Sequence, residues 1–224
     1  MAVLPPLPVP TSPDPYTTHS RRLVYDSPWI RLREDRVSHS GGASGIYPVC
    51  GFHRTACGVV ALDEQDRVVL VGQWRYPLEA YSWELPEGGG LESETPFDTI
   101  RRELAEEAGL QAATWEPLLH MHTSNSSTDE ECFLFLACGL SGVDQPLPPE
   151  PDEELKVHRE PFGQCLSRIL SGELTDSLTV AGLLALEARR RGVSGNLPGA
   201  LAERFFQRPS EHPSAGRRRW AELP

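Results

Sequence analysis

Residues 88–110 read GGGLESETPFDTIRRELAEEAGL, and every other segment takes its meaning from this one. Glu103, Glu106 and Glu107 are separated by three and four residues or lie side by side, a spacing that gathers their carboxylates on one face of a helix. Acids packed that closely repel one another unless a cation joins them. Mg²⁺ is held by a few carboxylates together with substrate phosphates rather than by a full protein cage. The spacing therefore predicts a divalent-cation site that acts on a phosphate substrate. A merely solvated acidic helix face is the bland alternative.

The flanking residues carry the grammar of a helix. Thr95 suits the N-cap, Pro96 the first helical position, and Asp98 completes a capping-box pattern. Gly109 stands where a left-handed residue ends a helix. Gly88, Gly89 and Gly90 predict a tight loop whose backbone runs close to a ligand. Arg102 is placed to pair with Glu106 one turn on, or with Glu94 in the preceding loop, orienting these acids rather than touching phosphate.

The chain has 224 residues, enough for one domain with extensions. Its formal charge of −11 opposes nonspecific binding to nucleic acid or an anionic membrane, and no nucleic-acid or membrane partner is expected. The charge is compatible with a nucleotide enzyme whose bound metal supplies positive charge locally. Five scattered cysteines, Cys50, Cys57, Cys132, Cys138 and Cys165, show no metal-binding spacing. They predict reduced thiols and a cytoplasmic location, with Cys132 and Cys138 as packing residues. Neither a membrane span nor a secretion signal is expected.

Residues 1–20 form a proline-rich lead, expected to be poorly ordered, with structure starting near Arg22. Two strands are expected around a turn at Asp26-Ser27-Pro28. Residues 46–62 and 67–73 read as a strand pair joined by the polar DEQD turn. After the acidic helix, WEPLLHMH, ECFLFLACGL and LKVHR read as strands. Helices are expected from Pro161 to about Leu170 and from Thr175 or Asp176 to about Arg190. Residues 191–224 are expected to be a partly ordered extension. Strands mixed with one internal helix and further helices at the end indicate an α+β layer structure.

The spacing of residues 88–110 resembles the Nudix hydrolase signature at every defined position: Gly88, five residues, Glu94, seven residues, Arg102-Glu103-Leu104, one residue, Glu106-Glu107, one residue, Gly109-Leu110. The resemblance implies a Nudix-type α/β/α sandwich with a mixed β-sheet, spanning residues 21–190. It implies hydrolysis of a nucleoside diphosphate linked to a further group X. VLVGQWRYPLEAYSWELPEGG before the signature, and TSNSSTDE, DEELKV and SGELTDSLTVAGLLAL after it, resemble the branch that cleaves ADP-ribose and nucleotide sugars. One departure is that Thr123, Ser124, Asn125, Ser126 and Ser127 contain none of the prolines usual in that loop, which allows a different X group.

For the site, the resemblance implies Mg²⁺, or Mn²⁺ in its place, on Glu103, Glu106 and Glu107, with the backbone carbonyl of Glu87 as a further ligand. The general base of this branch comes from an acidic loop, here PPEPDEE, in which Glu153 is the first choice and Glu150 and Glu154 compete. Glu106 and Arg102 complete the expected catalytic set. Arg75 is placed to bind substrate phosphate or X, or else to pair with Glu79 or Glu84. Trp74 and Glu84 are further candidates for substrate binding, and Trp74, Tyr76, Tyr81 and Trp83 either stack a base or pack structurally. The branch also implies a homodimer with residues 21–50 in contact. ADP-ribose or a related nucleoside diphosphate sugar is the expected substrate, GDP-mannose or UDP-glucose the alternative. A Nudix-fold sensor that binds nucleotide without cleaving it is the reading of another class.

Overall fold

The computed structural model describes residues 7, 14–144, 154–193, 195, 197–209 and 220. Their contacts fall into two units. The first takes in described residues up to 53, together with 124–129 and 220. The second takes in residues 54–123 and the described residues from 130 to 209.

The first unit is an antiparallel meander of β1 (Tyr16–Asp26), β2 (Ile30–His39) and β3 (Ser44–Phe52). Ser27 makes the turn between β1 and β2: its hydroxyl donates to the Ile30 carbonyl at 2.9 Å and accepts from the Ile30 N–H at 3.1 Å. The turn is where the Asp26-Ser27-Pro28 pattern predicts it. Strand β1 begins earlier than Arg22, because Tyr16 already pairs with His39 on β2. Trp220 belongs to this unit and is buried. Its ring lies against Gly51, where any Cβ would overlap it, and beneath the guanidinium groups of Arg31 and Arg33 at 4.3 and 4.5 Å. The indole N–H donates to Asp129 at 2.9 Å.

The second unit holds a mixed four-stranded sheet and a three-stranded sheet. In the first, β4 (Thr55–Ala61) pairs antiparallel with β7 (Glu87–Gly90) and parallel with β9 (Glu131–Gly142), which pairs antiparallel with β8 (Leu110–His122). In the second, β5 (Arg67–Arg75) lies between β6 (Ala80–Glu84) and β10 (Lys156–Pro161). The expected pairing of residues 46–62 with 67–73 is overturned. Only Leu62 and Val68 bridge across the DEQD turn, after which β4 and β5 diverge into different sheets. Strand β4 is almost wholly buried and β5 is buried from Val68 to Gly72, so each needs its own partners and a cover on each face.

Period-two alternation distributes β4 and β9 between two cores. Cys57, Val59, Phe133 and Phe135 face a cluster with Ile100 and Leu104 of helix α1 (Pro96–Ala108). Val60, Cys132 and Leu134 face a second cluster, with Phe162 and Cys165 of α2 (Phe162–Ser171) and Leu178, Leu183 and Leu186 of α3 (Ser177–Arg190). Helices thus cover both faces of the mixed sheet, the α/β/α sandwich that the resemblance implies. Two terminal helices start and end where the sequence predicts. The tail beyond Arg191 contributes more than expected: α4 (Gly199–Glu203) leads into a 3₁₀ turn at Arg204–Phe206, and Phe205 is completely buried against Phe133 and Phe135. All five cysteines are free thiols. Burial pushes the Cys165 thiol up to about 12 and raises Cys57 and Cys132 as well, which fits packing rather than nucleophilic chemistry.

Candidate active site

The acidic helix forms as its caps dictate. The Thr95 hydroxyl accepts from the Asp98 N–H at 3.0 Å while Asp98 accepts from the Thr95 N–H at 3.3 Å. Gly109 closes the helix in the left-handed region at φ 64°. The three glycines before it form strand β7 instead of the expected loop. What requires glycine at position 88 is the approach of a side chain: the Glu103 carboxylate occupies the space of a Cβ there. Helix α1 is thereby brought close to β7, and its first metal-ligand candidate rests on backbone.

Glu103 and Glu107 are buried, at 9% and 7% exposure, and Glu84 is buried at 3%. Glu107 accepts from the backbone N–H of Glu87 at 2.9 Å. The side chain of Glu87 is inside this group of acids, and its Oε2 is buried with no hydrogen-bond partner. Burial drives the Glu87 carboxyl well above its ordinary value. The charges of Asp176, Glu84 and Glu107 drive it further in the same direction, against the opposing pull of Arg75. Acids converging around an orphaned carboxylate oxygen have the donor chemistry of a hard-cation site, and all can offer oxygen ligands. The residues present fit Mg²⁺.

Arg102 is a clamp on the solvent side of the helix. It donates to Glu94 at 2.9 and 3.2 Å and to Glu106 at 2.7 Å, and its Nη1 is 2.9 Å from Glu103. One guanidinium thus holds both of the partners its spacing offers, Glu94 and Glu106, and reaches Glu103 as well. Glu94 is in turn held below its ordinary value, first by the Arg102 hydrogen bond.

Arg75 donates from Nε to both oxygens of Glu84 at 3.0 Å and pairs with it again through Nη2. The same nitrogen is 3.6 Å from Glu87. The structure therefore joins Arg75 and Glu84 in one ion pair at the edge of the acidic cluster. Trp74 is 61% exposed on the same strand end. Trp83 instead packs edge-on against Tyr81 and His158 at 5.6 and 5.7 Å. Glu153 and Glu150 lie outside the described residues, and Glu154 stands just before β10.

Asp176 joins this group of acids without a site motif of its own in the sequence. It caps α3, accepting from the Thr179 N–H at 2.8 Å, and its charge acts on Glu87. Thr179 accepts from the Leu85 N–H at 2.9 Å and so ties the start of α3 to the chain between Glu84 and Glu87. The sequence marks Asp176 only as a helix cap; its place beside Glu87 comes from the fold.

Residues 52–167 match the NUDIX domain, and residues 16–49 match the nucleoside diphosphate sugar hydrolase N-terminal domain. The chain belongs to the NUDIX family of hydrolases. It is 32% identical to an ADP-ribose pyrophosphatase of Mycobacterium tuberculosis (strain ATCC 25618 / H37Rv), over 87% of this chain and 93% of that protein. An ADP-ribose pyrophosphatase of Bacillus subtilis (strain 168) is 30% identical over 61% of this chain and 74% of its own length. The fold is shared with a crystal structure of an ADP compounds hydrolase, at a TM-score of 0.72 and 19% identity, covering 82% of this chain and 100% of that one.

Proposed function

We propose that this protein hydrolyses the diphosphate bond of ADP-ribose or a related nucleoside diphosphate sugar with Mg²⁺ as cofactor, releasing a nucleoside monophosphate and a sugar phosphate. The observation that carries this reading is the unpartnered, buried Oε2 of Glu87 among Glu84, Glu107 and Asp176. A bound divalent cation supplies the positive charge that lowers the pKa of attacking water and offsets charge on the leaving phosphate. The chain's own groups do the rest. Glu103 and Glu107 offer ligand oxygens from one helix face, and the Glu87 backbone carbonyl is the further ligand. Arg102 keeps Glu106 and Glu94 oriented. Arg75 holds Glu84 in the acid cluster and, with its side chain 37% exposed, is the cation offered to substrate phosphate. Trp74 offers an exposed ring for the base or ribose.

Glu153 is the proposed general base. Glu153→Gln is expected to lower kcat strongly and leave KM nearly unchanged, as for an interaction made mainly in the transition state. Glu150→Gln and Glu154→Gln serve as comparisons, and turnover at the parent rate in all three variants assigns the base elsewhere. The enzyme is proposed to work in the cytoplasm as a homodimer, with Mn²⁺ able to replace Mg²⁺.

The substrate is tested with a panel of ADP-ribose, GDP-mannose, UDP-glucose and a dinucleoside polyphosphate in Mg²⁺, read as monophosphate release. ADP-ribose is expected to give the highest kcat/KM. Preference for GDP-mannose or UDP-glucose keeps the reaction and replaces the substrate; saturable binding of ADP-ribose without any product favours the sensor reading.

A further inference from the structure

Away from the signature acids, β8 and β9 bring a different set of ligands together. His120 and His122 are two residues apart on β8 and share one face of the sheet. The register puts Glu131 of β9 directly opposite His122. One ligand atom from each of His120, His122 and Glu131 lies within 4.8 Å of the others. We propose that these three side chains form a second metal site, selective for Zn²⁺ over Mg²⁺, that shares no residue with the acidic cluster.

Four details of the geometry support a metal. First, the Nε2 of His120 is buried and has no hydrogen-bond partner, and it is 3.6 Å from Oε1 of Glu131. Ligands at Zn–N and Zn–O lengths of roughly 2.0–2.2 Å in a tetrahedron stand about 3.3–3.6 Å apart, so this pair has the spacing of one tetrahedral edge. Second, Nδ1 of His122 is 3.1 Å from the Glu130 carbonyl. An N–H on that nitrogen donates to the carbonyl and leaves Nε2 with the free lone pair, the outer-shell arrangement usual for a ligating histidine. Third, Arg204 donates to Oε2 of Glu131 at 2.6 Å and leaves Oε1 turned toward His120. Fourth, the supporting residues are packed together: Arg204 lies 5.5 Å from the Phe133 ring centre, and Phe133 packs edge-on to buried Phe205 at 4.9 Å and tilted against His120 at 5.1 Å.

The donor set decides the metal. Two imidazoles and one carboxylate match three-ligand zinc sites that keep a fourth position for water. Arg204 neutralises part of the Glu131 charge, so affinity rests on the imidazoles. These favour Zn²⁺ and its late first-row neighbours and give Mg²⁺, which prefers oxygen, little hold. The alternative is that His120 and Glu131 form only an ion pair.

The test uses the full chain, stripped of metal with a chelator, titrated with Zn²⁺ by calorimetry in a large excess of Mg²⁺. One Zn²⁺ per chain is expected, and it should persist in Glu107→Gln, which alters the acidic cluster. His122→Gln, at an exposed position, should weaken binding at least about tenfold, the lower end of what loss of even an outer-shell partner costs a metal site. His120→Asn should do the same. Circular dichroism and the thermal melt of both variants without metal should match the parent. Co²⁺ in place of Zn²⁺ should give the visible absorption of a tetrahedral ion in the parent and not in His122→Gln. Zn²⁺ affinity unchanged in His122→Gln, or Zn²⁺ uptake that disappears in Glu107→Gln while His122→Gln retains it, would overturn the proposal.

Discussion

At the scale of single residues, the distribution of charge around Glu87 sets the chemistry of the site. A buried carboxylate oxygen without a partner is costly, and the neighbouring acids make it more so. Such an arrangement is strained in isolation and becomes favourable when a cation joins it. Replacing Glu107 by Gln keeps the size of the side chain and removes one of those charges. Turnover is expected to fall at least about 100-fold, comparable to loss of one electrostatic stabiliser of a transition state, while the thermal melt changes little. Near-parent Mg²⁺-dependent activity in Glu107→Gln would remove this residue from the cation site. The residue scale is also where the sequence was most legible. Thr95, Asp98, Arg102 and Gly109 act through partners within a few positions, so spacing alone predicts their hydrogen bonds. Gly88 was legible as necessary but not as to cause. A glycine required for a left-handed turn and one required because Glu103 presses on it look the same in a sequence.

At the scale of elements, short-range and long-range information separate. Strand β8 starts at Leu110, five residues before the expected WEPLLHMH strand, while strands β9 and β10 and helices α1, α2 and α3 appear where periodicity and caps predict them. Strand partners do not, because β4 and β5 are both apolar on both faces and offer no alternation from which to choose a neighbour. Asp176 reaches the site by the same long-range folding, through the docking of α3. The junction of β10 and α2 gives an element-scale prediction. Buried Glu160 accepts from His158 and from Arg168, each at 2.8 Å. The His158 hydrogen bond lowers its pKa below the ordinary 4.5, burial opposes, and Arg168 lowers it further. A carboxylate with a depressed folded pKa stabilises fully above its unfolded value and loses that contribution as pH falls through the folded one. Glu160→Gln is therefore expected to melt a few degrees below the parent at pH 7, with the gap closing as pH drops below 4.5. A gap that stays constant down to pH 3 would show that the charge of Glu160 is not what holds the junction.

At the scale of the whole molecule, the chain combines a NUDIX domain with a three-stranded N-terminal meander of its own. That unit exposes Leu23, Val24, Tyr25, Trp29 and Ile46, a concentration of apolar side chains that favours a protein contact over solvent. Light scattering is expected to give a mass near twice the 24.8 kDa of one chain, and a monomer at micromolar concentration would argue against the dimer. The tail was the least legible region. Phe205 stands beside Phe206 and Trp220 stands alone, both in polar surroundings, and nothing nearby in sequence reveals that Phe205 and Trp220 fill buried positions while Phe206 is exposed.

This acidic cluster is proposed to turn a divalent cation into a catalyst for cleaving a nucleoside diphosphate sugar. The decisive experiment is product analysis after incubating ADP-ribose with purified protein, in Mg²⁺ and in excess chelator. AMP and ribose 5-phosphate are expected in equal amounts in Mg²⁺, and neither product once the cation is removed. Equal product formation with and without the cation, or ADP-ribose recovered intact from Mg²⁺ despite saturable binding, would contradict the proposal.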